Sequence, residues 1–70
     1  MDIFNLENHP HVELCDLLKL QGWCDSGGGA KEVIAEGLVK VNDQVETRKR
    51  CKIVDGQKVS YRGMNVMVKA

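Results

Sequence analysis

Residues 26–45 read SGGGAKEVIAEGLVKVNDQV, and within them the spacing of apolar residues changes from that of a helix to that of a strand. Before Gly37, apolar residues recur on one helical face, at Ala30, Val33 and Ile34. After it, they alternate with polar residues, at Val39, Val41 and Val45. Ser26 can cap the helix start, and Gly37 can end the helix in a left-handed conformation. The segment therefore predicts a helix followed by a strand.

A second helical pattern precedes this segment. Asn8-His9-Pro10 has the form of a helix start, because proline is tolerated in the first turn of a helix. The predicted helix runs from His11 to Gln21 and ends at Gly22. Its apolar face consists of Leu14, Leu17 and Leu18. Two short helices joined by a loop need a third surface to cover their apolar faces.

Short strands supply that surface. Turn-forming residues occur at Asn42-Asp43, at Asp55-Gly56 and over 62–65, and apolar residues alternate between and after them. Residues 1–7 fit a short edge strand. The predicted fold class is α+β, with two short helices packed on a small antiparallel sheet of four to five strands. The chain of 70 residues is expected to form a single domain.

Size and composition exclude several classes of function. A chain of 70 residues has little room for a deep catalytic cavity, and no nucleophile-and-base arrangement is visible, so we expect neither an enzyme nor a cofactor or small-molecule substrate. No apolar run is long enough to span a membrane, and the N-terminus does not resemble a secretory signal. The odd number of cysteines, three, favours reduced thiols and a cytoplasmic location.

The net charge of zero conceals an uneven distribution. Residues 1–25 carry five acids and one base, whereas residues 26–70 carry nine bases and five acids. Four cations lie within the run Arg48-Lys49-Arg50-Cys51-Lys52. Such a run can attract a polyanion even in a neutral protein, because salt screens the more distant charges. The alternative is an ordinary solvated surface.

The three glycines Gly27, Gly28 and Gly29 are a second candidate feature. They are not a nucleotide-binding P-loop, because Gly28 and Gly29 stand where that motif needs lysine and serine or threonine. Glycines that lead into a helix can, however, expose backbone N–H groups to a phosphate, and Lys31 follows directly. The alternative is that the glycines only form a tight turn.

Two further features leave alternatives open. Trp23, between the predicted helices, can stack on a nucleobase or fill a gap in the core, and the core is the more frequent role. His9, His11 and Cys15 lie close in sequence, with His11 and Cys15 at the spacing of one helical turn. A structural zinc site needs four ligands, and no convincing fourth is nearby, so no metal is expected.

Between Leu14 and Val59, the sequence resembles the alpha-L motif of the ribosomal-protein-S-four-like RNA-binding domain family, and most closely its small stand-alone bacterial branch. The matching positions are Leu14, Leu18, Gly22, Ser26, Ala30, Ile34, Gly37, Val39, Val41, Asn42, Val45, Gly56 and Val59. The chain departs from the family pattern at Glu13 and Cys15, which replace arginine and aspartate, and at Gly27, which replaces an arginine. The resemblance places the alpha-L core at about residues 12–60.

The resemblance implies binding of structured RNA, with ribosomal RNA among the candidates, by a monomer that uses cations of the second helix and neighbouring loops. The candidate RNA-binding residues are Lys31, Lys40, Arg48, Lys49, Arg50, Lys52, Gly27, Gly28 and Gly29. The main alternative is a protein–protein adaptor that uses exposed strands and the acidic first helix. Binding of DNA by a helix-turn-helix is the least supported hypothesis, because the second helix would present only one cation and two acids to a DNA groove.

Overall fold

The computed structural model describes the whole chain, residues 1–70. Its elements are, in order, β1 (Asp2–Asn5), β2 (Val12–Glu13), α1 (Leu14–Leu20), α2 (Gly27–Ala35), β3 (Val39–Val41), β4 (Gln44–Val45), β5 (Lys52–Ile53), β6 (Lys58–Tyr61) and β7 (Met64–Lys69). Neither helix is long and apolar enough to cross a membrane.

Five strands form the main sheet in the order β1-β7-β6-β3-β4, and β2 pairs with β5 in a separate two-stranded sheet. The predicted α+β fold with two helices on a small sheet is confirmed. The sheet is mixed rather than wholly antiparallel, because the edge strand β1 runs parallel to β7. A parallel pair needs a long crossover connection, and almost the entire chain, including both helices, lies between these two strands.

The core lies between the helices and one face of the main sheet. Strand alternation directs Val39, Val59 and Val66 toward the helices, where all three are fully buried. The helices contribute Leu14, Leu17, Leu18, Ala30 and Ile34, each with no exposed surface. The predicted apolar faces of both helices are therefore the faces that are buried.

Helix α1 starts later than predicted, at Leu14 rather than His11. Val12 and Glu13 pair instead with Ile53 and Lys52 as strand β2. The predicted start at Asn8-His9-Pro10 was wrong because this pairing with a distant segment takes the residues that would have formed the first turn. Pro10 lies in the connection before β2.

Helix α2 begins as predicted, with the Ser26 hydroxyl accepting a hydrogen bond from the Gly29 N–H at 3.1 Å. The predicted turn at Asn42-Asp43 is also present, with both residues at positive φ, 50° and 68°. This conformation matches the twist of a two-residue hairpin and is tolerated by asparagine and aspartate. The turn between β6 and β7 is shorter than predicted, since Met64 and Asn65 already belong to β7.

Candidate functional site

The most basic surface is the segment 46–52, called here the basic loop, which joins β4 to β5. Its backbone is held against the start of α1: the N–H groups of Leu14 and Cys15 donate to the carbonyls of Cys51 and Lys49, at 2.9 and 3.1 Å. These carbonyls satisfy N–H groups that the first turn of a helix otherwise leaves free. These hydrogen bonds to α1 therefore fix the backbone from which the cations of the basic loop extend.

Arg48 is the one cation of the basic loop with an ionic partner. The Glu46 carboxylate accepts hydrogen bonds from Arg48 Nε at 3.0 Å, from Arg48 Nη2 at 2.9 Å and from the Arg48 backbone N–H at 2.9 Å. These bonds lower the pKa of Glu46 to about 2 and raise the pKa of Arg48. Much of the charge of Arg48, a candidate RNA-binding residue, is therefore compensated within the loop.

The pKa of Glu46 also sets the pH range in which this ion pair contributes. A carboxyl group whose pKa is lower in the folded state stabilises the fold above its ordinary pKa of 4.5. That contribution is lost as the pH falls from this value toward about 2. The pairing of Arg48 with Glu46 is therefore complete at neutral pH.

The other cations of the basic loop are free of ion pairs. Lys49, Arg50 and Lys52 are exposed, and the two ion pairs of the structure are Arg48–Glu46 and Lys58–Asp43. Arg48, Arg50, Cys51 and Lys52 line a shallow groove. The Cys51 thiol at its edge is neutral, because burial raises its pKa. The groove thus presents positive charge and N–H donors.

The three glycines occupy the first turn of α2 rather than a turn before it. None has a positive φ, and a Cβ at Gly28 would meet only the Ser26 hydroxyl, at an ordinary contact of 3.8 Å. Neither backbone conformation nor packing within the protein requires glycine here. Lys31 follows one turn later, and helical side chains lean toward the N-terminus, so Lys31 extends over Gly27 and Gly28.

Lys40 does not belong to the same surface as Lys31. Strand β3 alternates, so that Val39 faces the helices and Lys40 faces the opposite side of the main sheet, beside its partners Val45 and Ser60. The structure therefore divides the predicted cations into three groups: Lys31 on α2, Lys40 behind the sheet, and those of the basic loop.

Two contacts near these cations were missed from the sequence. Glu46 precedes Arg48 by two residues, and in an extended chain side chains two residues apart lie on the same side. The sequence Glu46-Thr47-Arg48 could therefore have predicted this ion pair. The guanidinium of Arg62 lies 5.8 Å from the centre of the Tyr61 ring. This cation–π contact depends on the backbone conformation of the turn between β6 and β7. The sequence predicted a turn there, over 62–65, but not its conformation.

Trp23 and the metal-binding side chains also have defined places. Trp23 is half-buried against the core, with its ring 6.3 Å from that of Tyr61, which favours the core role. His11 lies before α1, so the helical spacing expected between it and Cys15 does not exist. The ligand atoms of Glu13, Cys15 and Asp16 lie within 4.8 Å of one another, which is one ligand fewer than a structural zinc site uses.

Comparison with known proteins agrees with this architecture. The model of the S4 domain family matches residues 4–69. The chain is 66% identical over 70 residues, covering 100% of both chains, to the Escherichia coli (strain K12) protein named "Putative RNA-binding protein YbcJ". It has the same identity and coverage with the YbcJ protein of Shigella flexneri, named as uncharacterized. None of these names is that of an enzyme, in agreement with the prediction.

A solved structure supports the fold independently. The solution structure of YbcJ from E. coli superimposes with a TM-score of 0.77 at 66% sequence identity, covering 100% of this chain and 89% of that one. It is described as revealing an alpha-L motif involved in RNA binding. The resemblance inferred from the spacing of apolar and glycine residues is confirmed, and the chain belongs to the S4 domain family.

Proposed function

We propose that this protein binds structured RNA, ribosomal RNA among the candidates, as a cytoplasmic monomer. The observation that carries the proposal is the basic loop: its backbone is hydrogen-bonded to α1, while Lys49, Arg50 and Lys52 are exposed and unpaired. Such a surface can contact phosphates without paying a large ordering entropy on binding. The names of the E. coli relative and of its solved structure point the same way.

RNA suits this surface better than duplex DNA. An A-form helix is recognised by shape and by contacts to phosphates and 2′-hydroxyls across a shallow groove, for which a small basic surface is sufficient. A DNA major groove would instead require a helix bearing base-reading side chains. Helix α2 offers Lys31 as its single cation, together with Glu32.

Charge reversal at Lys31 tests the proposal directly. We expect Lys31→Glu to weaken binding of an RNA hairpin more than Lys69→Glu, because Lys31 lies over the N-terminus of α2, where the helix dipole also attracts a phosphate. The expected difference is about fivefold, corresponding to roughly 1 kcal/mol. Fluorescence anisotropy with one labelled hairpin measures both variants. Equal losses would show that α2 has no special role, and equal affinity for duplex DNA would contradict RNA binding by shape.

The glycines of α2 give a prediction in which stability and binding change in opposite directions. Gly28→Ala should raise the free energy of unfolding by up to about 1 kcal/mol, because alanine favours helix and its methyl group makes only an ordinary contact of 3.8 Å with the Ser26 hydroxyl. The same methyl group would stand where we propose that a phosphate approaches the backbone, so RNA affinity should fall. Thermal unfolding and RNA titration of the same sample check both signs. A stabilised variant with unchanged affinity would show that no ligand approaches Gly28.

Removal of the Glu46 charge should strengthen RNA binding. Glu46→Gln abolishes the ion pair with Arg48 and so releases that guanidinium for phosphate contact. We expect a gain of roughly two- to fivefold in affinity, the range of one exposed charge pair. Glu7→Gln makes the same change in charge away from the basic loop and serves as the control. Equal gains in the two variants would mean that only the net charge matters.

A further inference from the structure

A second concave surface lies where β1, the connection 6–11, β2 and α1 meet. It is a cleft of about 580 Å³, and no residue of the basic loop lines it. Its apolar lining includes Ile3, Phe4, Val12 and Leu20, of which Ile3 and Leu20 are each 65% exposed. Exposed apolar side chains that line one cleft indicate a contact surface, whereas singly scattered ones do not.

The polar lining of this cleft is acidic. Glu7, Glu13 and Asp16 line it together with His9 and His11, and no lysine or arginine does. None of these three carboxylates is in an ion pair, and Glu7 and Asp16 are the exposed ones. This charge repels a phosphate backbone. It is complementary to lysine and arginine side chains.

The wall formed by β1 is also ordered and has a free edge. β1 is the terminal strand of the main sheet and pairs only with β7. The turn that follows it is closed by the His9 N–H donating to the Leu6 carbonyl at 3.0 Å and by the Glu7 N–H donating to Asn5 Oδ1 at 2.9 Å. An extended segment can therefore lie along β1 without first ordering the cleft, and unpaired strand edges bind such segments through their backbone.

We propose that this cleft binds an extended segment of a partner protein in which basic and aliphatic residues alternate. In an extended chain, successive side chains point to opposite sides. The aliphatic side chains would contact the apolar lining, and the basic ones would reach Glu7 and Asp16. The chain's own basic run, Arg48 to Lys52, does not supply such a segment to a second copy, because it contains no aliphatic residue and its backbone is engaged with α1. This inference concerns a site separate from the proposed RNA surface and stands without it.

The test is a titration of the full chain, labelled with nitrogen-15, with an end-blocked Lys-Leu-Lys-Leu-Lys-Leu-Lys peptide. We expect amide shift changes in β1, at Glu7, in β2 and along α1, saturating by about 1 mM, and little change in the basic loop. Two peptides of equal length provide the comparison. Replacing every lysine by glutamate should abolish binding, and replacing every leucine by serine should weaken it about tenfold, since both the charge and the apolar contacts contribute.

A pair of double variants locates the site. Asp16→Lys with Leu20→Ser changes two exposed cleft residues and should weaken peptide binding about tenfold. Asp25→Lys with Leu38→Ser makes the same exchanges at exposed positions outside the cleft and should leave binding unchanged. If thermal unfolding shows that the first variant is not folded, Glu7→Lys reverses the other exposed charge of the cleft and should also weaken peptide binding.

Several results would overturn the proposal. They are the absence of peptide-induced shifts, shifts centred outside the cleft, equal affinity for the serine-containing peptide, and equal effects of the two double variants. Concentration-dependent shifts of the cleft residues without peptide would identify a second copy as the occupant, and RNA-induced shifts centred there would identify RNA; either result also rejects the proposal.

Discussion

The affinity of this protein for a structured RNA should fall on the order of 100-fold when the salt concentration rises from about 50 to 200 mM. The expected decrease assumes that about four phosphates are neutralised, by Lys31, Lys49, Arg50 and Lys52. Each neutralised phosphate releases counterions that were condensed on the RNA. Arg48 is left out of this number because Glu46 already compensates its charge. A titration of one RNA hairpin at several salt concentrations measures the slope directly.

The double variant Lys49→Ala with Arg50→Ala shows which cations produce this slope. Removing two phosphate contacts should make the slope of log affinity against log salt shallower by about two, while the free energy of unfolding changes little, since exposed charges contribute little to stability. Lys19→Ala with Lys69→Ala removes the same charge elsewhere and should leave the slope nearly unchanged. A flat salt response of the unmodified protein would exclude phosphate contacts as the source of affinity.

Ile34→Ala should lower the free energy of unfolding by about 2 to 5 kcal/mol. Ile34 has no exposed surface, and it lies on the face of α2 that contributes to the core shared with α1 and the sheet. A domain of 70 residues has a total stability of roughly 4 to 10 kcal/mol, so this one cavity removes a large fraction of it. Urea unfolding followed by circular dichroism measures the change.

Leu20→Ala provides the comparison for this substitution. Leu20 is 65% exposed at the end of α1, and alanine is at least as favourable in a helix, so the unfolding midpoint should move little. Equal losses in the two variants would show that Leu20 has a buried partner in solution. The comparison therefore also tests whether the cleft beside Leu20 is open in the isolated protein.

The second helix shows how much of the fold could be predicted from local sequence. Ser26 accepts from a backbone N–H within its own turn, and Ala30 and Ile34 are buried because they lie one turn apart on a single face. The hairpin turn at Asn42-Asp43 likewise depends on the conformations open to those two residues. Interactions between close neighbours in sequence are independent of the rest of the chain, which is why these elements lie where the pattern indicated.

The candidate site was predictable only in part for the same reason. The run from Arg48 to Lys52 is visible in the sequence, and so is Lys31. That the N–H groups of α1 hold the loop depends on how residues distant in sequence come together. Glu46, only two residues before Arg48, compensates the charge of Arg48 within the loop. The number of cations free to contact a ligand is therefore smaller than the number in the run.

The sequence by itself determined the two apolar helix faces, the turns and the concentration of positive charge after residue 25, because each depends on residues within a few positions of one another. Tertiary structure alone decided that Val12 and Glu13 form a strand instead of a helical turn, and that β1 runs parallel to β7. Hydrogen bonds to partners far along the chain outweigh a weak local preference of two to four residues. The same long-range pairing fixes the positions of β1 and β2, whose residues line the acidic cleft together with those of the connection 6–11 and of α1.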